Sequence, residues 1–471
     1  MKERPYQEDK EGFWELLKQY ENLKNGRHHS FLDEDSFEKI IDYFDEREEL
    51  PNALEAADHA TEHYPYSSLL LIKKADVLLA SRKYQESLEI LDKASLLDSM
   101  DINLYILKTD AYLALDQQEK AVALLEDALS LFNGDERIDL LFELADVYDD
   151  YEEFDKIFDC LKLILEDDPN NEEALYKICF WTDFTGRNEE SIRLHQGIID
   201  EYPYNELAWF NLAAAYQGLK LYEKAIDAYK YAVTIEEKFD YAYRNMGDAY
   251  MRLRKYKEAI EVLEKVIELS KPEELIYEAI GHCYDKMRKY GQARFYYRKA
   301  SHMNPEDSKL YYKLAFTYFN EGQFSQSARQ IEAALKIHPL QPEYNLLMGE
   351  CRIQLGDFKE AIFHLSNVVA ARAKNVAGWE ALLRCLYKAG FYDEAILQAD
   401  HALVATHQKP IFLYYKSAFL LVAGSTKEAL LLLEKALTAA PKLLKKFVEL
   451  NPGILQHQQV VDVIARYKKR R

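Results

Sequence analysis

Long apolar runs are missing from this sequence. No stretch of about 18 uncharged apolar residues, the length that a membrane-spanning helix requires, occurs among its 471 residues. Residues 1–14 carry charges where a secretory signal would need an apolar segment. We therefore expect a soluble, cytoplasmic protein without a membrane span.

Cysteine is scarce, and the glycine-rich motifs of nucleotide sites are missing. The five cysteines lack the paired spacing of disulfide frameworks or zinc sites. The chain contains no Walker loop, no GxGxxG fingerprint and no nucleophile elbow. The sequence therefore predicts no catalytic residues, no cofactor and no metal, and thus no enzyme.

One short segment matches a metal-binding pattern. Residues 59–63 fit the H-x-x-E-H metalloprotease signature, which places two imidazoles one helical turn apart. However, Ala60 falls at a packing position of the repeat described next, and Pro65 ends that copy of the repeat. We interpret the segment as the last turns of a repeat helix rather than as a zinc site.

A repeat of 34 residues dominates the sequence. Its clearest copy, residues 206–237, places Trp209, Leu212 and Tyr216 on one face of a first helix and Ala225 and Tyr229 on one face of a second. A helix pair of this length cannot bury both apolar faces by itself. It therefore has to stack on neighbours of the same kind.

Small side chains recur where two helices would cross. Reading from Glu34 in steps of 34 residues, with one step of 36, position 20 of the repeat is Ala or Ser in eleven of twelve copies. The residues at this position are Ala53, Ser87, Ala121, Ile157, Ser191, Ala225, Ala259, Ala293, Ser327, Ala361, Ala395 and Ala429. The distance between two packed helices depends on the side chains at their contact, so this pattern predicts closely packed pairs.

This pattern resembles the tetratricopeptide repeat. The resemblance implies an all-α fold, namely a right-handed superhelical α-solenoid of about twelve helix pairs with terminal capping helices. Residues 1–33 would form an amino-terminal capping helix and loop, residues 34–441 twelve tandem repeats, and residues 442–471 capping helices with a basic tail. The third and fourth copies depart from the family pattern, with Thr109, Ile157 and Ile164 where the family has Gly or Ala.

The resemblance also implies a function. In this family the first helices line a concave groove that binds extended peptides or partner helices, so we predict a non-catalytic scaffold or adaptor for a protein or peptide partner. The family's carboxylate clamp, which binds heat-shock chaperones, is not expected here. No copy has Lys at position 5, and Arg244 at that position is followed by Asp248 instead of Asn.

Charge indicates the kind of partner. Residues 34–171 contain 36 Asp and Glu against 12 Lys and Arg, a net charge of −24, so the remainder of the chain, whose total is −21, carries +3. Aspartates recur at groove positions 9 and 12 of the first four copies: Asp42, Asp45, Asp76, Asp110, Asp146 and Asp149. This ladder favours a partner rich in Lys or Arg and disfavours nucleic acid at this end. The alternative is that the aspartates only form a solvated face.

Aromatic and amide side chains continue along the predicted groove. The aromatic candidates are Tyr176, Phe180, Phe210, Tyr312, Phe316, Phe319 and Tyr414. They would either anchor a ligand or pack between neighbouring first helices. Asn211 and Asn245 hold position 6, where the resemblance implies hydrogen bonds to a bound peptide backbone.

The carboxy-terminal tail suggests an alternative function. Arg466, Lys468, Lys469, Arg470 and Arg471 would contact nucleic acid or anionic lipid in a nucleic-acid-associated adaptor. A solvated chain end is the simpler interpretation of these residues.

Overall fold

The regular structure of this chain is helical throughout the residues that the structure describes. The structure is a computed structural model, and it describes residues 10–25, 31–271 and 273–469. It forms two compact units, Met1–Glu237 and Lys238–Arg471. None of the helices in the described ranges has both the length and the apolar character needed to cross a bilayer.

The first unit begins with helix α1 (Lys10–Lys24) and continues as helix pairs. The pairs are α2 (Glu34–Asp45) with α3 (Leu50–His63), α4 (Ser68–Ala80) with α5 (Tyr84–Ser95), α6 (Ile102–Ala114) with α7 (Gln118–Ala128), α8 (Asp135–Asp150) with α9 (Phe154–Asp167), α10 (Glu172–Thr185) with α11 (Asn188–Glu201), and α12 (Glu206–Gly218) with α13 (Tyr222–Ile235). Short turns join the two helices of each pair, which makes them antiparallel neighbours.

The second unit repeats the arrangement and ends in short helices. Its pairs are α14 (Asp240–Arg252) with α15 (Tyr256–Leu269), α16 (Glu274–Lys286) with α17 (Tyr290–Met303), α18 (Ser308–Asn320) with α19 (Phe324–Ile337), α20 (Pro342–Leu355) with α21 (Phe358–Ala371), α22 (Val376–Lys388) with α23 (Tyr392–Ala405), and α24 (Pro410–Val422) with α25 (Thr426–Ala439). A 3-10 helix (Pro441–Leu443), α26 (Leu444–Leu450), a second 3-10 helix (Pro452–Gln456) and α27 (Gln458–Lys469) follow.

The first helices begin where the repeat predicts, because the last residue of one copy often caps the next. The side chains of Asp33, Asn171 and Asn205 accept hydrogen bonds from backbone N–H groups in the first turns of α2, α10 and α12. Such caps satisfy donors that a helix start leaves unpaired. Helix α8 is different: the repeat spacing predicts that the fourth copy begins at Ile138, but the helix begins at Asp135, after Gly134 with a φ of 62°.

The small residues at position 20 lie buried inside the helix pairs. Ala225, Ala259 and Ala293 have no exposed surface, as predicted. Two of the three serines at this position bind the partner helix: Ser87 Oγ donates to the carbonyl of Ala75 over 2.7 Å, and Ser327 Oγ donates to that of Ala315 over 2.8 Å. These two pairs are thus held by close contact and by a buried hydrogen bond. The hydroxyl of Ser191 instead lies 3.2 Å from Nδ1 of His195 in its own helix.

Glycines on some first helices allow the same close approach. A Cβ atom at Gly349 would lie 2.5 Å from Cγ of Leu365 on the paired helix, and one at Gly281 would lie 2.7 Å from the ring of Tyr297. Real atoms do not approach so closely without a shift of the neighbour. Cys283, Cys351 and Cys385 are free thiols buried on first helices, so they contribute to the packing of the pairs.

The ends of the chain pack against the neighbouring repeats. Tyr20 of α1 is buried, and Lys24 forms an ion pair with Glu55 over 2.5 Å. At the other end, Phe447 of α26 is fully buried with its ring 5.9 Å from that of Tyr414. Tyr414, one of the aromatic candidates, does not face solvent: α26 covers it, and its hydroxyl donates to the carbonyl of Ala440 over 3.1 Å.

Candidate functional site

The predicted aspartates lie on consecutive first helices of the first unit. Helices α2, α4, α6 and α8 pack against one another in that order and carry Asp42, Asp76, Asp110 and Asp146 respectively. The surrounding protein displaces water from the carboxylate of Asp76 and, with the charge of Asp45, raises its pKa. Partial burial and the charge of Asp76 raise the pKa of Asp110 in the same way. The structure thus brings these carboxylates close enough to repel one another.

Glu143 is the member of this set that the sequence did not reveal. It lies half-buried on α8, and its burial, followed by the charges of Asp110, Asp146 and Asp150, raises its pKa to about 7. Glu143 occupies position 6 of its repeat, and position 6 was among the predicted groove positions. The sequence did contain a signal for Glu143: it is an acidic residue at a groove position, and Asp110 and Asp146 occupy groove positions of the preceding copy and of its own copy.

Lysines act on this surface from its two sides: Lys73 acts on Asp42 and Asp76, and Lys177 acts on Asp146. Lys73 binds Asp42 over 2.7 Å, and the charge of Lys177 partly offsets the rise in the pKa of Asp146 that burial causes. In contrast, no ion pair within the described ranges involves Asp76, Asp110 or Glu143. We name Asp76, Asp110, Glu143 and Asp146 the acidic face. Asp149, also predicted, is exposed beside it on α8.

The next first helix, α10, presents rings instead of carboxylates. Tyr176, Phe180 and Phe184 follow one another at four-residue spacing and have 63%, 60% and 56% of their surfaces exposed. The ring of Trp181 lies 5.0 Å from that of Phe180 and stacks on Phe154 of α9 at 5.4 Å. We name these five residues the aromatic surface. Sequence reasoning found Tyr176 and Phe180 but not the other three.

Lys177 connects the acidic face to the aromatic surface. Its ammonium group lies 4.8 Å from the ring centre of Phe142 on α8 and forms an ion pair with Glu173 over 2.8 Å. Its charge also acts on Asp146. Since Lys177 belongs to α10, the two surfaces adjoin within the first unit.

Asn211 has an internal role in the structure. It is buried, and its amide donates to the carbonyl of Leu175 over 2.7 Å and to Nε2 of His195 over 3.2 Å. Nδ1 of His195 in turn donates to the carbonyl of Ser191 over 2.7 Å. Burial lowers the pKa of His195 to about 4, so the ring is neutral. Because its amide is occupied inside the fold, we leave Asn211 out of the exposed surface.

Two predicted rings in the second unit form the wall between two cavities. Tyr312 of α18 stacks on Tyr344 at 5.3 Å, and Phe316, one turn later, is 41% exposed. The smaller cavity is lined by His282, Asp285, Tyr297, Tyr312, Lys313 and Phe316. The larger, of about 470 Å³, is lined by Tyr312, Phe316, Phe319, Glu343, Leu346, Leu347, Glu350, Gln354 and Arg384.

The remaining predicted residues are less exposed. Phe210 is half-buried with its ring 5.7 Å from Tyr229, and Phe319 packs edge-on against Phe324 at 5.4 Å. Asn245 is half-buried on α14. These positions contribute less accessible surface than the aromatic surface does.

The other motifs have simple structural explanations or lie beyond the described residues. Nδ1 of His63 lies 2.9 Å from the carbonyl oxygen of His59, and Ala60 between them is fully buried, as expected for a repeat helix. Arg244 pairs with Glu273 over 2.8 Å. In the tail, Arg466 is exposed on α27, whereas Arg470, Arg471 and the side chains of Lys468 and Lys469 lie outside the description.

Comparison with protein families identifies the repeat. The family model "Tetratricopeptide repeat protein 21 C-terminal ARM domain" matches residues 189–348. The family model "Tetratricopeptide repeat" matches residues 352–410 and 381–443. No curated protein matches the chain significantly.

Solved structures resemble parts of the chain at low sequence identity. The C-terminal part of a TPR repeat-containing protein from Cytophaga hutchinsonii shares 14% identity over 54% of this chain and 98% of its own, with a TM-score of 0.45. A chain of the APC/C hetero-tetramer Cut9–Hcn1 shares 12% identity over 83% of this chain and 97% of its own, with a TM-score of 0.36. YrrB, a TPR protein with an unusual peptide-binding site, shares 19% identity over 40% of this chain and 96% of its own, also with a TM-score of 0.36.

These structural likenesses are too distant to indicate a function, so the identification depends on the two family models and on the helix pairs. Both models describe tetratricopeptide repeats, and their matches cover helices of both units. The chain therefore belongs to the tetratricopeptide repeat family, whose members bind protein or peptide partners.

Proposed function

We propose that this protein is a non-catalytic scaffold whose acidic face binds a basic segment of a partner protein. The observation that supports this proposal is the row of Asp76, Asp110 and Glu143, in which Asp76 repels Asp110 and Asp110 repels Glu143, and none of the three forms an ion pair within the described residues. Lys or Arg side chains of a partner would relieve that repulsion. The ion pairs that bind the partner would therefore also remove the repulsion among the carboxylates.

The expected affinity of such contacts is moderate. Exposed ion pairs contribute about 0.2 to 1 kcal/mol each, and partly desolvated pairs contribute more. Three or four such contacts give weak to intermediate binding that decreases as salt rises. The proposal therefore concerns a reversible interaction.

The test compares two triple variants with the same change in net charge. The first, Asp76→Asn, Asp110→Asn and Glu143→Gln, neutralises most of the acidic face. The control, Glu89→Gln, Glu119→Gln and Asp127→Asn, neutralises exposed carboxylates on the second helices α5 and α7. A fluorescein-labelled peptide containing Lys and Arg is titrated with each protein at low and physiological salt, and binding is followed by anisotropy.

We expect the acidic-face variant to bind the peptide at least about tenfold more weakly than the wild type, since two or more contacts of about 1 kcal/mol are lost. The control should bind almost as the wild type does. Equal losses in both variants would show that only net charge matters, and the acidic face would then not be a binding site. Circular dichroism of each variant checks that its helices are intact.

A further inference from the structure

The aromatic surface of α10 is an unpartnered helix face of unusual composition. Its three exposed rings, Tyr176, Phe180 and Phe184, lie on successive turns of one helix, and no described segment covers them. The rings of Phe180 and Phe184 stack at 5.9 Å, so they form one continuous surface. Contiguous apolar surface that stays exposed usually marks a binding site.

Charge complementarity indicates what this surface binds. The acidic face adjoins it through α8, where Asp146 lies within electrostatic reach of Glu173 and Lys177 of α10. A partner segment that covers the rings would therefore also extend over the carboxylates of the acidic face. Such a segment has to carry cationic side chains together with residues that pack on flat aromatic rings.

The spacing of the first helices indicates the conformation of the occupant. Packed helices lie about 8–10 Å apart. A polyproline II segment has three residues per turn and advances about 9 Å per turn, so every third side chain points to the same side in register with the helices. In a β-strand, side chains on one face recur only every 7 Å or so, and the mismatch grows with each helix. The polyproline II conformation therefore fits the carboxylates on α4, α6 and α8.

Proline also suits the rings. Proline-rich segments in this conformation dock on grooves lined by aromatic side chains, and proline sets the backbone φ angle in advance. We propose that the aromatic surface of α10 docks a proline-containing segment in the polyproline II conformation, whose Lys or Arg residues, three positions apart, lie over the acidic face. This inference rests on the proposed function and adds the partner's conformation and register.

The test uses nine-residue peptides of identical composition, three Arg and six Pro. In the first peptide the Arg residues are three apart, in the second two apart, and in the third they are adjacent. The reversed sequence of the first peptide covers the other chain direction. Nine residues in polyproline II conformation extend about 28 Å, enough to cross the packed helices α4, α6 and α8 and to continue toward α10. Each labelled peptide is titrated with the full chain, and binding is followed by anisotropy.

We expect the peptide with three-residue spacing, in one of its two directions, to bind about tenfold more tightly than the other two spacings. Phe180→Ser should weaken that binding several-fold. The matched control is Phe363→Ser on α21, a phenylalanine with the same 60% exposure, and it should have no effect. Asp110→Asn should weaken binding of the three-residue peptide about fivefold, as the loss of one ion pair implies.

The outcomes separate this inference from the proposed function. If all three spacings bind equally while the acidic-face triple variant loses binding, the register is wrong and the proposed function stands. If Phe180→Ser and Phe363→Ser behave alike, the aromatic surface is not the docking site. If no peptide binds, or if the control triple variant loses as much as the acidic-face variant, both proposals fail.

Discussion

Replacing Glu143 by glutamine should stabilise the first unit at alkaline pH and leave its stability unchanged at acidic pH. The carboxyl group has a pKa of about 7 in the folded protein against 4.5 for an ordinary glutamate. Between these two values the folded state binds more protons than the unfolded state does. Stability therefore falls as the pH rises from 4.5 to 7 and stays low above that range.

The magnitude follows from the two pKa values. An interval from 4.5 to about 7 corresponds to an upper bound of about 3 kcal/mol at 1.36 kcal/mol per pH unit. Glu143 is partly exposed, and solvent screens its repulsion from Asp110 and Asp146. We therefore expect Glu143→Gln to raise the free energy of unfolding by about 1–2 kcal/mol at pH 8.

Urea unfolding at pH 5 and pH 8 measures this difference. A chain of stacked repeats can unfold in several steps, so hydrogen exchange of peptides from α8 should accompany circular dichroism. The control is Glu119→Gln, which removes an exposed carboxylate from α7. A gain of the same size at both pH values, or none at pH 8, would refute the reasoning.

Three further predictions concern pH and packing. Burial holds the pKa of His195 near 4 against 6.5 for an ordinary histidine, so the first unit should lose stability as the pH falls from 6.5 to 4, and His195→Phe should flatten this dependence in urea titrations. Gly349→Ala should lower the free energy of unfolding of the second unit by about 1–2 kcal/mol in urea titrations, because its Cβ would lie 2.5 Å from Cγ of Leu365. Gly197→Ala, which has open space around it in α11, should raise the free energy of unfolding of the first unit by about 0.5–1 kcal/mol. Binding of a basic peptide should strengthen from pH 6 to pH 8 as Glu143 ionises, and the peptide titration should show less change with Glu143→Gln.

Much of the fold was predictable because every helix pair needs a small side chain at the same position of the repeat, where its two helices pack closely. Ala259 and its equivalents are buried at the same place in each pair, so reading one position in steps of 34 residues locates the helices. The start of α8 was misplaced because the two extra residues precede it. Gly134 adopts a positive φ there, and the helix gains residues before Ile138.

The site was less predictable, because the repeat specifies which side of a helix a residue occupies but not what lies opposite. Tyr414 holds a groove position, yet the non-repeating helix α26 covers it. Asn211 was expected to meet a peptide, but the neighbouring copy supplies His195, where the family has a large aromatic or aliphatic residue, and the two side chains bind each other. A hydrogen bond of this kind depends on the residues of two neighbouring copies, so the pattern within one copy does not predict it.

Within this fold, the residues that set the packing and those available for binding are largely separate. Position 20 is buried and nearly constant in size, whereas position 9 changes from Asp146 on α8 to Phe180 on α10 while the helix pairs keep the same arrangement. A change at an exposed position alters what the surface attracts without disturbing the helix crossings. The acidic face therefore ends at α10 because one exposed side chain changes its chemistry, and the same backbone continues as an aromatic surface.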